Sequence, residues 1–487
     1  MAPVPAHPTG GPAAPAGGPA GPEHRPAACG GVRRLLEPWF TPFALINGTA
    51  VGLTPILLPV VAARYGVGHV GLVMGAFNLG AFAAPLTGSL ADRYRAYRGL
   101  ATACATVAAV SLWLFPLLGP GFQLLFALAD GAGFAGAVTI ANLLIVERRP
   151  EPEWNQRLGW LETALSVGQG AALLMASWLS GLSARTGLLA GALVPAAAIP
   201  LALLLIPRMP AVPRAAAPGG TPPTPAPDAP GQPAPARAAA SPATPRAPAP
   251  GSAPARATHR LASVGHVGEW GPASPSRAHH LHQRRRPFAG VSHLLGGGFG
   301  WLLAAWIPAY AGSAIVFSLY PLLFRHSFGV PPSTSAVAFA VIVFLSLPLF
   351  IVAARASQRR GPAIVLAGAM GARVVMLAAL AALAAAGHVP AVLALACFAG
   401  ILFAWSFLSV ASPGLTGQLR PDAEGDAQGL LNAGSGIAGL AGSVAGGLAA
   451  SAWGYPVALA LGAGATAVGL AVFLTTVARA RRSPVTR

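Results

Sequence analysis

The chain has 487 residues, of which 54% are hydrophobic and only 9% charged. Soluble domains average about a quarter charged residues, so this composition excludes a string of water-soluble domains and points to lipid as the solvent, where a helix needs about 20 apolar residues to span. The net charge is +18 and all 31 basic residues are arginine; they fall mostly in short segments between apolar runs, which fits membrane topology rather than nucleic-acid binding.

Residues 1–37, beginning "MAPVPAHPTGGPAAPAGGPAGP", lack a charged start followed by an apolar core and so do not read as a signal peptide. They read as a disordered cytoplasmic tail. Twelve apolar runs of spanning length follow, near 39–62, 70–91, 99–118, 122–146, 159–180, 188–207, 298–323, 334–354, 363–386, 390–411, 429–452 and 457–478. Most connections are short, which makes sequential helices antiparallel neighbours. The reading is therefore an all-α polytopic membrane protein of two six-helix bundles, 38–207 and 291–478. Between them, 208–290 is rich in Pro, Ala and Arg, cannot bury a core, and is expected to be a disordered linker. Residues 479–487 form a basic tail.

Arginine placement sets the orientation. With the N-terminus cytoplasmic, the outer loops carry only Arg64, Arg185 and Arg325, while nearly all the other arginines lie inside. Both termini and the linker are then cytoplasmic, and the expected location is the plasma membrane.

Polar groups within the apolar runs are the candidate site residues, since a charge in hydrocarbon costs at least about 2.5–3.5 kcal/mol. In the first run Asn47 and Thr54 stand at i and i+7 and are expected to share a face; Pro55 and Pro59 are expected to kink the helix. Asn78 sits mid-way in the second run. In the fourth run Asp130 shares a helical face with Phe134, Val138 and Asn142. Desolvation disfavours a charged carboxylate, so Asp130 is a candidate for taking up and releasing a proton. Glu162, on one face with Ser166 and Gln169, is a second proton or substrate candidate, near enough to the cytoplasmic end to reach water. In the seventh run Trp306, Tyr310, Ser313, Phe317 and Tyr320 form one continuous stripe that can line a pocket for an amphipathic molecule or pack against neighbouring helices. Arg373 in the ninth run is read as structural. Gly436, Gly439, Gly442 and Gly446 in the eleventh allow close helix approach.

Four charges fall within seven residues in "GSLADRYRAYRG", Gly88 to Gly99. The pattern Arg93, Arg98, Gly99 recurs as Arg355, Arg360, Gly361 at the equivalent junction of the second half, as in transporters built from parallel repeats. The stretch resembles the signature G-x-L-a-D-r-x-G-r-r of the major facilitator superfamily, matched by Gly88, Leu90, Ala91, Asp92 and Arg93, with Arg95 where the family has its second glycine. The resemblance implies a transporter with twelve spans, a long central loop and both termini inside. It also implies a cytoplasmic gate in which Gly88, Asp92, Arg93 and Glu147 join the halves in the outward-facing state, Arg93 pairing with Glu147 and Asp92 meeting the N-terminus of the eleventh helix, whose dipole attracts carboxylate.

Absences narrow the function. There is no phosphate loop, the three cysteines are too far apart for a zinc or disulfide framework, and the outer loops are too short to hold a catalytic domain. No enzyme activity, catalytic residue, metal or cofactor is expected. His279, His280 and His282 lie beside arginines in a basic segment suited to anionic lipid. The expected function is proton-coupled export of a small organic molecule by a monomer whose partners are membrane lipid, the substrate and the proton. Substrate-cavity candidates are Asn47, Thr54, Asn142, Gln169, Trp306, Tyr310 and Phe317. Uptake by the same fold, or a non-transporting sensor or assembly role, are the alternatives.

Overall fold

The computed structural model describes residues 37–149, 154–208, 295, 297–387, 389–420 and 424–482. Residues 1–36 and most of 208–290 lie outside this description, as do His279, His280 and His282. Pro38–Arg487 form one unit, and all regular structure among its described residues is helical.

Twelve long helices follow in chain order. In the first half, α1 runs over Phe40–Tyr65, α2 over Val67–Leu79, Gly80–Phe82 and Ala83–Tyr94, α3 over Tyr97–Leu114 and α4 over Pro120–Arg148. Then α5 spans Trp154–Ser180 and α6 spans Ala184–Leu205. In the second half, α7 is Gly297–Phe328, α8 Pro332–Arg360, α9 Pro362–Ala386, α10 Ala391–Leu419, α11 Glu424–Trp453 and α12 Tyr455–Arg482. Proline and glycine set several of these limits. Pro120, Pro332 and Pro362 open their helices, where a missing N–H costs nothing, and Gly361 and Gly454 turn the chain at positive φ.

Eleven of the twelve are long and apolar enough to cross a membrane. The exception is α5, long enough but less apolar. It packs between α1 and α8, and the polar side chains Glu162, Ser166 and Gln169 are buried there.

The sequence echo falls at the α2–α3 and α8–α9 junctions, as expected, but its letters take different local structure. Helix α2 ends at Tyr94, with Arg95 as its cap, and Arg98 and Gly99 already belong to α3. Arg355 and Arg360 both lie in α8, and only Gly361 forms the turn. The second-half helix therefore runs about one turn further before the chain reverses, so matching letters occupy different places.

Among the described residues the halves share their core at one end. We call this the closed end, where α1 passes to α2 and α7 to α8; the other is the hairpin end, carrying the α2–α3 and α8–α9 junctions. At the closed end one continuous apolar core joins the halves, with Leu53, Ile56, Val70 and Phe77 from the first and Ile315, Tyr320, Phe339 and Phe398 from the second. At the hairpin end the core divides in two: Phe43, Tyr97, Leu144 and Leu161 belong to one cluster, Phe299, Leu366, Leu408 and Leu431 to the other. The principal seams are α2 on α11, α5 on α8, and Thr54–Ala62 of α1 on α7.

The α2–α11 seam is built on missing side chains. A Cβ at Gly71 would stand 2.5 Å from the Ser443 carbonyl oxygen, and one at Gly447 would stand 2.6 Å from Gly71 Cα. Asn78 Nδ2 donates to Ser443 Oγ at 3.0 Å across it. The glycines of α11 serve two neighbours: Gly436 and Gly439 face Phe82 and Asn78 of α2, Gly442 and Gly446 face Ala311 and Ile315 of α7.

Candidate functional site

The first helix carries the local feature that organises the site. Thr49–Leu53 is a π-helical turn, a form often found at functional positions. Its origin lies in Pro55, which has no N–H for the carbonyl four residues back, Val51, and whose ring crowds that turn. The freed Val51 oxygen accepts from Gln169 Nε2 of α5 at 3.2 Å. One turn earlier Asn47 Nδ2 donates to the Leu165 oxygen of α5 at 2.9 Å. Gly48 and Gly168 let the two backbones touch; a Cβ on either would overlap the other helix.

The expectation that Asn47 and Thr54 share a face is corrected by this turn. The wider π-turn between them changes the register, so Asn47 faces α5 while Thr54 Oγ1 donates to Asp130 Oδ2 of α4 at 3.2 Å. Asp130 lies about 15 Å along α4 from its closed end at 1.5 Å per residue, and its exposure is 1%. Its other oxygen, Oδ1, has no hydrogen-bond partner among the described residues. The carboxylate's floor is a tight crossing: a Cβ at Gly131 would overlap the Phe77 carbonyl of α2, and Phe77 stacks on Phe134. Phe134, Val138 and Asn142 are buried with Asp130, as their helical spacing requires.

Glu162 is 4% exposed, which corrects the expectation that it reaches water. Ser166 and Gln169, on the same face, are buried too.

The stripe on α7 divides into two clusters. Trp306 and Tyr310 pack with Trp405 of α10, ring centroids 5.9–6.4 Å apart. Trp306 Nε1 donates to Ser435 Oγ of α11 at 2.8 Å. Arg373 of α9 lies over Trp405 at 5.2 Å, a cation–π contact, and its Nε donates to the Ile401 oxygen. Phe317 belongs instead to an aromatic core at the closed end, against Phe339 and Phe398, where Tyr320 donates to the Ser335 oxygen at 2.8 Å. Sequence periodicity missed the Arg373–Trp405 contact, because it shows which face a residue occupies but not which helix lies opposite.

At the hairpin end Glu147 pairs with Arg95, Nη2 to Oε2, at 3.8 Å. The expected pairing with Arg93 is thereby corrected; the Arg93 guanidinium lies 5.5 Å from the Tyr94 ring. Arg95 is left-handed, φ 49 and ψ 26, the one non-glycine residue of positive φ among those described. The left-handed step swings its side chain back toward the end of α4. Gly88 faces Thr139 of α4. The side chain of Asp92 lies outside what the structure describes. Among the described residues no cluster of three or more His, Cys, Asp or Glu is placed to hold a metal.

Two helical bundles that close on each other at one end, with an ionisable side chain buried in one bundle, define the membrane transport class. The family model described as the major facilitator superfamily matches residues 40–413 and 302–487, and the chain belongs to that superfamily; it is a transporter, not an enzyme. Among solved structures it is similar to a mutant of the nucleoside transporter NupG, with TM-score 0.64 and 14% identity over 91% of this chain and 99% of that one. It is also similar to a bacterial homologue of the human lysosomal transporter Spinster, in an inward-facing and occupied conformation, with TM-score 0.57 and 14% identity over 92% of this chain and 95% of that one. No curated protein matches.

Proposed function

We propose that the chain is a secondary active transporter in the plasma membrane, exchanging external protons for a small organic molecule that it exports. The observation that carries this reading is Asp130: a carboxylate 1% exposed in a membrane-spanning bundle, hydrogen-bonded to Thr54 on a helix that also touches the opposite half. Thr54 opens the segment of α1 that packs on α7 at the closed end. A change in the charge of Asp130 therefore acts on the seam that must part for the other state to form.

With the hairpin end cytoplasmic, the orientation that the arginines favour, the conformation is inward-facing. Protonation of Asp130 from outside weakens substrate binding, and release of the proton inside resets the site. Asn142, Trp306 and Tyr310, buried in the two bundles toward the hairpin end, are the substrate contacts in this reading. Asn47 and Gln169 set the position of α1, and Glu162 is the secondary proton candidate. Few buried charges favour a neutral, apolar or cationic cargo. When the hairpin end closes, Gly88, Asp92 and Arg93 form the gate, steadied by Arg95 on Glu147. The transporter works as a monomer, since each chain holds both halves of the pathway.

Inside-out vesicles with an imposed pH gradient test this. Labelled compounds, nucleosides among them, should accumulate in vesicles bearing the wild-type chain. Asp130→Asn should abolish gradient-driven accumulation while leaving exchange of labelled for unlabelled compound within about twofold. Accumulation that ignores the gradient in the wild type would sink the proton reading.

A further inference from the structure

Gln169 has a role that its expected place among the cavity residues does not capture. Three observations meet there. Pro55 leaves the Val51 carbonyl without its normal backbone donor, and Gln169 Nε2 takes that carbonyl at 3.2 Å. The π-turn that results ends at Leu53, one residue before Thr54, whose hydroxyl reaches Asp130 Oδ2 at 3.2 Å. The backbones of α1 and α5 are in contact through this region, since a Cβ at Gly52 would come 2.7 Å from the Gln169 carbonyl oxygen.

We infer that Gln169 is a positioning residue for Asp130: by taking the carbonyl that Pro55 strands, it holds the π-turn of α1 and so registers Thr54 on the carboxylate. The inference deepens the proton-coupling reading and rests on it for its functional meaning. A buried carbonyl left without a donor is costly, and with Pro55 in place the backbone can supply one only by tightening or widening the turn, so that the N–H of Thr54 or Ile56 reaches Val51. Rewinding changes the register of everything beyond it, beginning with Thr54. Asn47, bonded one turn earlier to Leu165, anchors the near side of the bulge and is unaffected. Gln169 thus acts on Asp130 through one helix turn.

The logic yields its own control. Pro55→Ala supplies the missing N–H to Val51, so Gln169 becomes dispensable in that background. Acid-minus-alkaline infrared difference spectra of the full chain in liposomes need no substrate. A protonated carboxylic C=O band should vanish in Asp130→Asn and move to higher wavenumber in Thr54→Val, which loses the hydrogen bond. Gln169→Leu should move it the same way, and Pro55→Ala with Gln169→Leu should return it to its wild-type position. Amide exchange of residues 49–58 is the second readout: a several-fold rise in Gln169→Leu, reversed in the double variant. A band left unmoved, or unchanged exchange, in Gln169→Leu overturns the inference, as does a double variant no better than the single one. A spectrum in which Asp130→Asn removes no band defeats the proton reading instead, and the exchange result then decides the positioning of α1 by itself.

Discussion

At the scale of single residues, Arg95 shows the cost of a local departure. An L-residue in the left-handed region is disfavoured by about 1–2 kcal/mol, and the ion pair it makes with Glu147 is 44% and 31% exposed at its two ends. Exposed pairs contribute about 0–1 kcal/mol, so the strain is the larger effect. Arg95→Gly should raise the thermal unfolding midpoint of the purified protein or leave it unchanged, and a fall would mean that the pair outweighs the strain. Gly131 is the opposite case. Gly131→Ala places a methyl group against the Phe77 carbonyl, and overpacking of this kind costs about 1–3 kcal/mol or more. The variant should give less monodisperse protein on size exclusion than wild type. The position of Arg95 in the signature was legible in the sequence, but its pairing was not, because the direction of its side chain depends on the sign of one backbone angle.

At the scale of elements, the helices were legible because lipid demands them: long apolar runs leave the backbone no partner but itself. What the pattern left hidden was neighbourhood and register. Pro55 reads as a kink; in the structure its effect is a π-turn that separates Asn47 from Thr54. The stripe on α7 reads as one surface, yet its upper and lower parts belong to different clusters because α10 supplies Trp405 to one and Phe398 to the other. The α2–α11 seam carries its own prediction. Asn78→Ala removes the bond to Ser443, and a hydrogen bond nets about 1 kcal/mol, so the balance of states should shift about fivefold toward separation at the closed end. Distances between spin labels on α2 and α11 near that end measure it; an unchanged distribution would assign the seam to packing alone.

At the scale of the whole molecule, the division of the apolar core reports the conformation. One cluster shared by both halves at the closed end, and two separate ones at the hairpin end, describe two bundles joined at one end, where Asn78 bonds Ser443 and Phe344 packs against Gly170 of α5. Gly71→Val should force the halves apart at the closed end and trap the opposite state, seen as lengthened label distances there and shortened ones across the hairpin end. The burial of Asp130 has a further meaning in the economy of the membrane. With 1% of its surface exposed, the carboxylate is shielded from the outer face while the closed end stays shut, and a proton taken up outside leaves it only toward the hairpin end. In the proton-coupled reading proposed above, an idle molecule of this kind is an insulator: it does not leak the gradient that drives it, and it dissipates that gradient only in step with a complete turn of the cycle.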